Sequence, residues 1–199
     1  MKISHINDLG GGRHKVVLED GTVFPLYKKE LTKWNLKEGQ VLLEKDFNEI
    51  KENVLLKRAK KRALYLLEKT GRSESNLASK LKEGFYPEDI VEGAVNYAKS
   101  FGYLDDENFA RNLLESRMYK KSKREITASL KQKGIGEGTI KEVFEKYYDE
   151  DGEKEAIQYL MEKKRIDLES ITPKELNKFY SYLARKGFSY DVISQNCHT

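Results

Sequence analysis

The chain has 199 residues, 38% of them apolar and 35% charged, with a net charge of +4. That is enough for one or two domains with a core and a large polar surface; no run of about 18 apolar residues can span a bilayer and no apolar leader follows Met1, so a cytoplasmic protein with no membrane partner is expected. The single cysteine, Cys197, and three histidines near the two ends, His5, His14 and His198, exclude internal disulfides and cysteine-based zinc sites, and neither metal nor cofactor is expected.

The first stretch reads as β. HKVVLED and TVFPLY flank Asp20 and Gly21, a strong hairpin signal, and Pro25 argues for an edge strand. KKELTKWNL fits a short helix broken at Gly39, and QVLLE fits a returning strand, so residues 1–45 are expected to form a small β-rich module. LGGGR at 9–13 lacks the Gly-Lys-Ser/Thr ending of a nucleotide loop and the GxGxxG of a dinucleotide fold; it reads as a flexible connection.

From Asp46 the pattern is helical. Leu56, Ala59, Ala63 and Leu66 or Leu67 recur every three to four residues, opposite the basic run KRAKKR at 57–62. A repeat follows in LKEGFYPEDI, LKQKGIGEGTI and LARKGFSYDVI, whose glycines Gly84, Gly134 and Gly187 are 50 and 53 residues apart, as three-helix units require. Each glycine is expected to close one helix in the left-handed conformation and aim the next. Ser122 with Glu125, and Thr172 with Glu175 and Pro173, fit capping boxes at helix starts, and Ile140, Val143, Phe144 and Tyr147 form an apolar stripe. The expected architecture is mainly α: a β-rich module (1–45), then three tandem three-helix repeats at 46–104 (with the long helix), 105–152 and 153–199.

This punctuation explains the acidic trio in SFGYLDDENFAR. The helix carrying Ile90, Val91, Ala94, Val95 and Ala98 must end near Ser100, with Gly102 as the stop. Asp105 then caps the next helix, Asp106 and Glu107 lie in its first turn, where carboxylates meet the amide dipoles favourably, and Phe109, Ala110 and Leu113 enter the core. Adjacent carboxylates with no histidine, cysteine or third spaced acid beside them do not make a catalytic centre.

Charge is unevenly spread. Residues 111–133 hold eight Lys/Arg against two Glu, and residues 134–155 three Lys against eight Asp/Glu. A helix-turn-helix reading fails on this count, because the helices that would enter a groove, PEDIVEGAVNYAKS and GEGTIKEVFEKYYDE, are acidic and would face phosphates. The cations gather at helix ends instead: Arg117, Lys120, Lys121, Lys123, Arg124, Lys131 and Lys133. If the three units stack side by side, these line one face with Arg72 and Lys80, then Lys163, Lys164 and Arg165, then Arg185 and Lys186, a surface suited to another polymer. The plain alternative is that they are solvated residues that keep the chain soluble.

Together these segments resemble the RecX family of RecA regulators. GRSESNLASKL at 71–81 is similar to the family's R-[ST]-E-x-E-L-x-x-K-L opening, with Asn76 where an acid is common. GYLDDENFAR at 102–111 is similar to its G-[YL]-[LI]-[DN]-D-x-x-[FY]-A segment, and LKQKGI and LARKGFSYDVI to its later repeat ends; the likeness covers about residues 57–195. The resemblance implies a non-enzymatic regulator that binds the RecA filament on single-stranded DNA; the chain itself is expected to be a monomer. It also implies lower ATPase, strand-exchange and co-protease activity of RecA, and so a role in recombination, DNA repair and SOS control. Two rivals are a direct nucleic-acid-binding or architectural protein, which predicts salt-sensitive binding to bare DNA without RecA, and a DNA-processing enzyme, which would need an acid cluster that the sequence lacks.

Overall fold

The computed structural model describes residues 1–197. It divides into two compact units, Met1–Asp105 and the chain from Asp106 onward. In the first, β1 (Ile3–Gly10), β2 (Arg13–Leu18) and β3 (Val23–Tyr27) form an antiparallel sheet in the order β1-β2-β3. The predicted hairpin is present: Asp20 Oδ1 accepts from the Thr22 N–H at 2.8 Å in the β2–β3 turn. Pro25, opposite Lys15, lies on edge strand β3, where a missing N–H does no harm. The glycine run also turns a hairpin, between β1 and β2, rather than forming an open connection.

Alternation along β2 and β3 sends Val16, Leu18, Phe24 and Leu26 inward, all fully buried. Helix α1 (Lys28–Lys33) follows, but QVLLE makes no strand. Val41 forms only an isolated bridge with Lys2, and Leu42 exchanges hydrogen bonds with Met1 (2.7 and 3.0 Å). Two residues later the chain is already helical, which leaves no length for a ladder.

Helix α2 (Glu44–Ile50), a π-helical segment (Lys51–Leu56) and α3 (Lys57–Lys69) follow without a break. The wider turn changes the expected stripe: Leu55 is fully buried and Leu56 only partly, so the inner face reads Leu55, Ala59, Ala63, Leu66. Phe24 and Phe47 meet at 5.1 Å between ring centroids, and the sheet shares one core with α2, α3, α4 (Glu74–Lys82) and α5 (Glu88–Ser100).

In the second unit, α6 (Asp106–Arg117), α7 (Lys123–Gln132) and α8 (Glu137–Tyr147) enclose one core built on Leu114, Ile126, Leu130 and Val143. Helices α9 (Gly152–Lys164), α10 (Pro173–Arg185) and α11 (Tyr190–Asn196) enclose another built on Ile157, Phe179, Leu183 and Ile193. The stripe on α8 points inward as its spacing requires. The acidic trio opens α6, where Glu107 also pairs with Lys146 at 3.0 Å.

The repeat glycines are not equivalent. Gly134 and Gly187 have positive φ, +79° and +92°, as expected, but Gly84 does not; the left-handed residue there is Phe85, at +66°. Crowding is the reason for a glycine at 84: a Cβ would stand 3.1 Å from the Leu81 carbonyl oxygen and from the Tyr86 ring. Phe85, held by its N–H to the Lys82 carbonyl at 2.8 Å, carries the Lys15 ammonium 5.1 Å from its ring centroid.

Candidate functional site

The start of α7 and the end of α10 bring several of the sequence-predicted cations together. Ser122 is fully buried and its extended backbone places its hydroxyl to cap α7, accepting from the Glu125 N–H at 3.1 Å. The same hydroxyl donates to the Lys186 carbonyl at 2.6 Å, 64 residues away. Only half of the expected capping box therefore forms here. The Glu125 carboxylate is turned outward, where one oxygen accepts from both Lys121 and Lys186 at 3.2 Å. At α10 the box is complete: the Thr172 N–H and hydroxyl donate to Glu175, whose pKa these bonds lower, and Thr172 Oγ1 accepts from the Glu175 N–H.

One carboxylate between two ammonium groups leaves the junction positive. Arg124 adds to it: its Cβ and Cδ lie where a side chain on Gly187 would stand, at 2.9 and 3.0 Å. Lys123 rests 4.3 Å from the Tyr148 ring centroid while its N–H donates to Glu153 at 3.0 Å. Lys164 and Lys186 both approach Tyr182, at 4.3 and 6.0 Å. Such exposed contacts are worth about 0.5–1 kcal/mol each, so they orient the cations more than they hold the fold. Among the described residues no carboxylate pairs with Lys123, Arg124 or Lys164, and the exposed Lys120 lies beside them in the chain. We refer to this set as the α7–α10 junction.

The remaining predicted cations are placed elsewhere. Lys131, paired with Glu137 at 2.5 Å, and Lys133, 5.9 Å from the Phe109 ring, lie at the far end of α7, about 12–15 Å along its axis. Arg117 donates to Ser129 Oγ at 3.0 Å. Lys163 lies against Tyr159 at 5.8 Å, and Arg165 closes α9 in the left-handed conformation, φ +55°. Arg185 lines a recess of about 330 Å³ with Lys164, Tyr182 and Lys178. In the first unit, Arg72 joins the end of α3 to α4, donating to the Leu66 carbonyl at 3.3 Å and Asn76 Oδ1 at 2.7 Å, and Lys80 pairs with Glu83 at 2.8 Å.

Sequence reasoning missed Lys178, although Lys174, Lys178 and Arg185 fall on one face of α10 at i, i+4 and i+11. It also named KRAKKR only as a basic run, without Arg13, which the fold brings to it from the sheet. Among the described residues no group of three or more His, Cys, Asp or Glu is placed to hold a metal, and no helix is long and apolar enough to cross a membrane; His198 lies outside the described residues.

Ser122→Ala removes both the cap of α7 and its link to Lys186. It is expected to lower unfolding free energy by about 2 kcal/mol, the cost of a lost cap plus a partly buried carbonyl left without its donor. Urea titration measures it; a loss within about 0.5 kcal/mol would mean that the link is incidental.

Residues 105–143 match the family model described as RecX, second three-helix domain, and residues 151–195 the one described as RecX, third three-helix domain. Proteins called regulatory protein RecX are similar over most of the chain. That of Caldanaerobacter subterraneus is 30% identical over 80% of this chain and 79% of its own. That of Clostridioides difficile is 28% identical over 92% and 87%, and that of Bacillus subtilis 28% over 92% and 70%. A crystal structure of regulatory protein RecX covers 98% of both chains with a TM-score of 0.61 and 27% identity.

Proposed function

The chain belongs to the RecX family, and from that premise we propose that it binds the RecA filament on single-stranded DNA and lowers RecA's ATPase, strand-exchange and co-protease activity. In this reading it is a cytoplasmic monomer that acts in recombination, DNA repair and SOS control by binding, without chemistry of its own. Its modules are the β-rich segment to residue 45 and the three helical repeats that follow.

The α7–α10 junction is the observation that carries the surface assignment. Lys186, from the end of α10, shares Glu125 with Lys121 and Tyr182 with Lys164, and Arg124 packs on the adjoining Gly187; with Lys123 beside Arg124 in the chain, these cations outnumber the one carboxylate between them. A nucleoprotein filament offers phosphates and acidic side chains in register along one groove, and fixed cations at helix ends suit such a target. Arg117, Lys131, Lys133, Lys163, Arg165 and Arg185 are proposed as flanking contacts in the same unit, and Arg72 and Lys80 as separate contacts made by the first unit.

The test adds the purified protein to RecA assembled on single-stranded DNA and follows ATP turnover. Turnover is expected to fall several-fold at stoichiometric amounts. Unchanged turnover, together with no co-sedimentation with the filament, would reject the proposal.

A further inference from the structure

A second basic site lies wholly within the first unit, where the sheet meets the helices; it shares only Lys80 with the proposed filament contacts, and Lys80 is paired with Glu83. Its basis is a second stripe on α3. Leu55, Ala59, Ala63 and Leu66 face the core, while Arg58, Lys61, Arg62 and Tyr65, at i, i+3, i+4 and i+7, share the neighbouring face. That face lines a cleft of about 520 Å³ together with Arg13 of β2 and Tyr27 of β3, which pair at one end of the sheet.

The cleft is a built feature. Arg58 donates to the Pro25 carbonyl at 3.2 Å, pairs with Glu30, and lies 4.7 Å from the Tyr27 ring centroid, which ties α3 to β3. Tyr86 lines the same cleft as Arg58, Arg13 and Arg62, and burial pushes its hydroxyl above the usual tyrosine range while the three guanidiniums pull the other way.

Two carboxylates stand nearby and both are already engaged, Glu30 by Arg58 and Glu83 by Lys80. Among the described residues no carboxylate pairs with Arg13, Lys61 or Arg62. Tyr65 is 49% exposed, and Arg62 and Lys69 rest near its ring at 5.3 and 5.6 Å.

We propose that this cleft binds single-stranded nucleic acid, with phosphates held by Arg13, Lys61 and Arg62 and one base stacked on Tyr65. The chemistry selects this ligand. Three unpaired cations around a concave wall attract a polyanion, and a half-exposed tyrosine at its rim offers a flat π surface that a base uses and a carboxylate does not. The long side chains of Arg62 and Lys69 swing from the ring to the phosphates when the base arrives. A cleft of this size admits a nucleotide or two of a bendable strand and excludes a rigid duplex, whose bases are not free to stack. The proposal does not rest on the filament reading, because it requires no RecA.

The experiment measures fluorescence anisotropy of a labelled oligothymidylate of about 12 nucleotides with the full chain, in the absence of RecA, over a range of salt. Tyr65→Ala is expected to weaken binding about ten-fold, and Tyr65→Phe, which keeps the ring, to change it less than about two-fold. The double variant Lys61→Ala, Arg62→Ala should make the slope of log K against log salt shallower by about 1.4, two single-strand phosphates. All three side chains are exposed, so thermal melting should be unchanged. Wild-type affinity and slope in both Tyr65→Ala and the double variant would overturn the proposal. So would displacement of the strand by polyglutamate at equal charge, which would make the cleft an acidic-peptide site, by thymidine monophosphate at equal nucleotide concentration, or by duplex as readily as by single strand.

Discussion

Reversing Lys120, Lys121, Lys123 and Arg124 together to glutamate is expected to weaken binding to the RecA filament by several hundred-fold at about 0.1 M salt. Each cation that neutralises a single-strand phosphate contributes about 0.7 to the salt slope, so four give about 2.8, and at 0.1 M that is close to three powers of ten. The fold should survive. Lys120, Lys123 and Arg124 are exposed, and glutamate at 124 keeps the Cβ that lies against Gly187. Lys121→Glu loses one of two partners of Glu125, but Lys186 still pairs with it. Reversing Lys141 and Lys154, in the acidic zone of the chain, is the control and should change binding little. Filament co-sedimentation across a salt series reads both affinity and slope; a fourfold variant that binds like the parent removes this surface from the proposal.

Gly187→Ala is expected to be the most damaging single methyl in the chain. At φ +92° an L side chain is strained by about 1–2 kcal/mol. The new Cβ would also meet Arg124 Cβ at 2.9 Å and Ser122 Oγ at 3.0 Å, atoms fixed by the start of α7. Opening that contact breaks the hydrogen bond from Ser122 to the Lys186 carbonyl, about 1 kcal/mol more. A total of about 2–3 kcal/mol in a unit of this size lowers its melting temperature by roughly 10–20 °C. Gly102→Ala separates the two causes, since Gly102 has φ +70° but nothing within 4 Å of an added Cβ. It should lose only the strain energy, a fall of roughly 5–10 °C. Equal losses in the two variants would show that the close approach at Gly187 contributes nothing. Because the approach seats Arg124 against the α10–α11 turn, Gly187→Ala should also weaken filament binding, whereas Gly102→Ala should not.

Local order is what the sequence settled without help. The Asp20–Gly21 hairpin, the Thr172 capping box, the stripe on α8, the stop at Gly102 and the acidic start of α6 all depend on residues within about one turn of each other, where spacing alone fixes which groups meet. For the same reason the mainly α fold with a small leading sheet was legible, as was the repeat that led to the family. Tertiary packing decided what depends on distant chain. QVLLE ends as a single bridge because it runs beside Ile3, Lys2 and Met1 only from Gln40 to Leu42 before α2 begins. Gly84 is glycine for want of space rather than for its φ, because Tyr86 folds back on it. The half-formed box at Ser122 reflects a carbonyl 64 residues away competing for the same hydroxyl. The candidate sites show it most plainly: which cations converge was not written in any one segment, since Lys186 reaches Glu125 across 61 residues and Arg13 comes to α3 from the sheet. Charge along a chain counts cations; only close packing of remote elements chooses their neighbours.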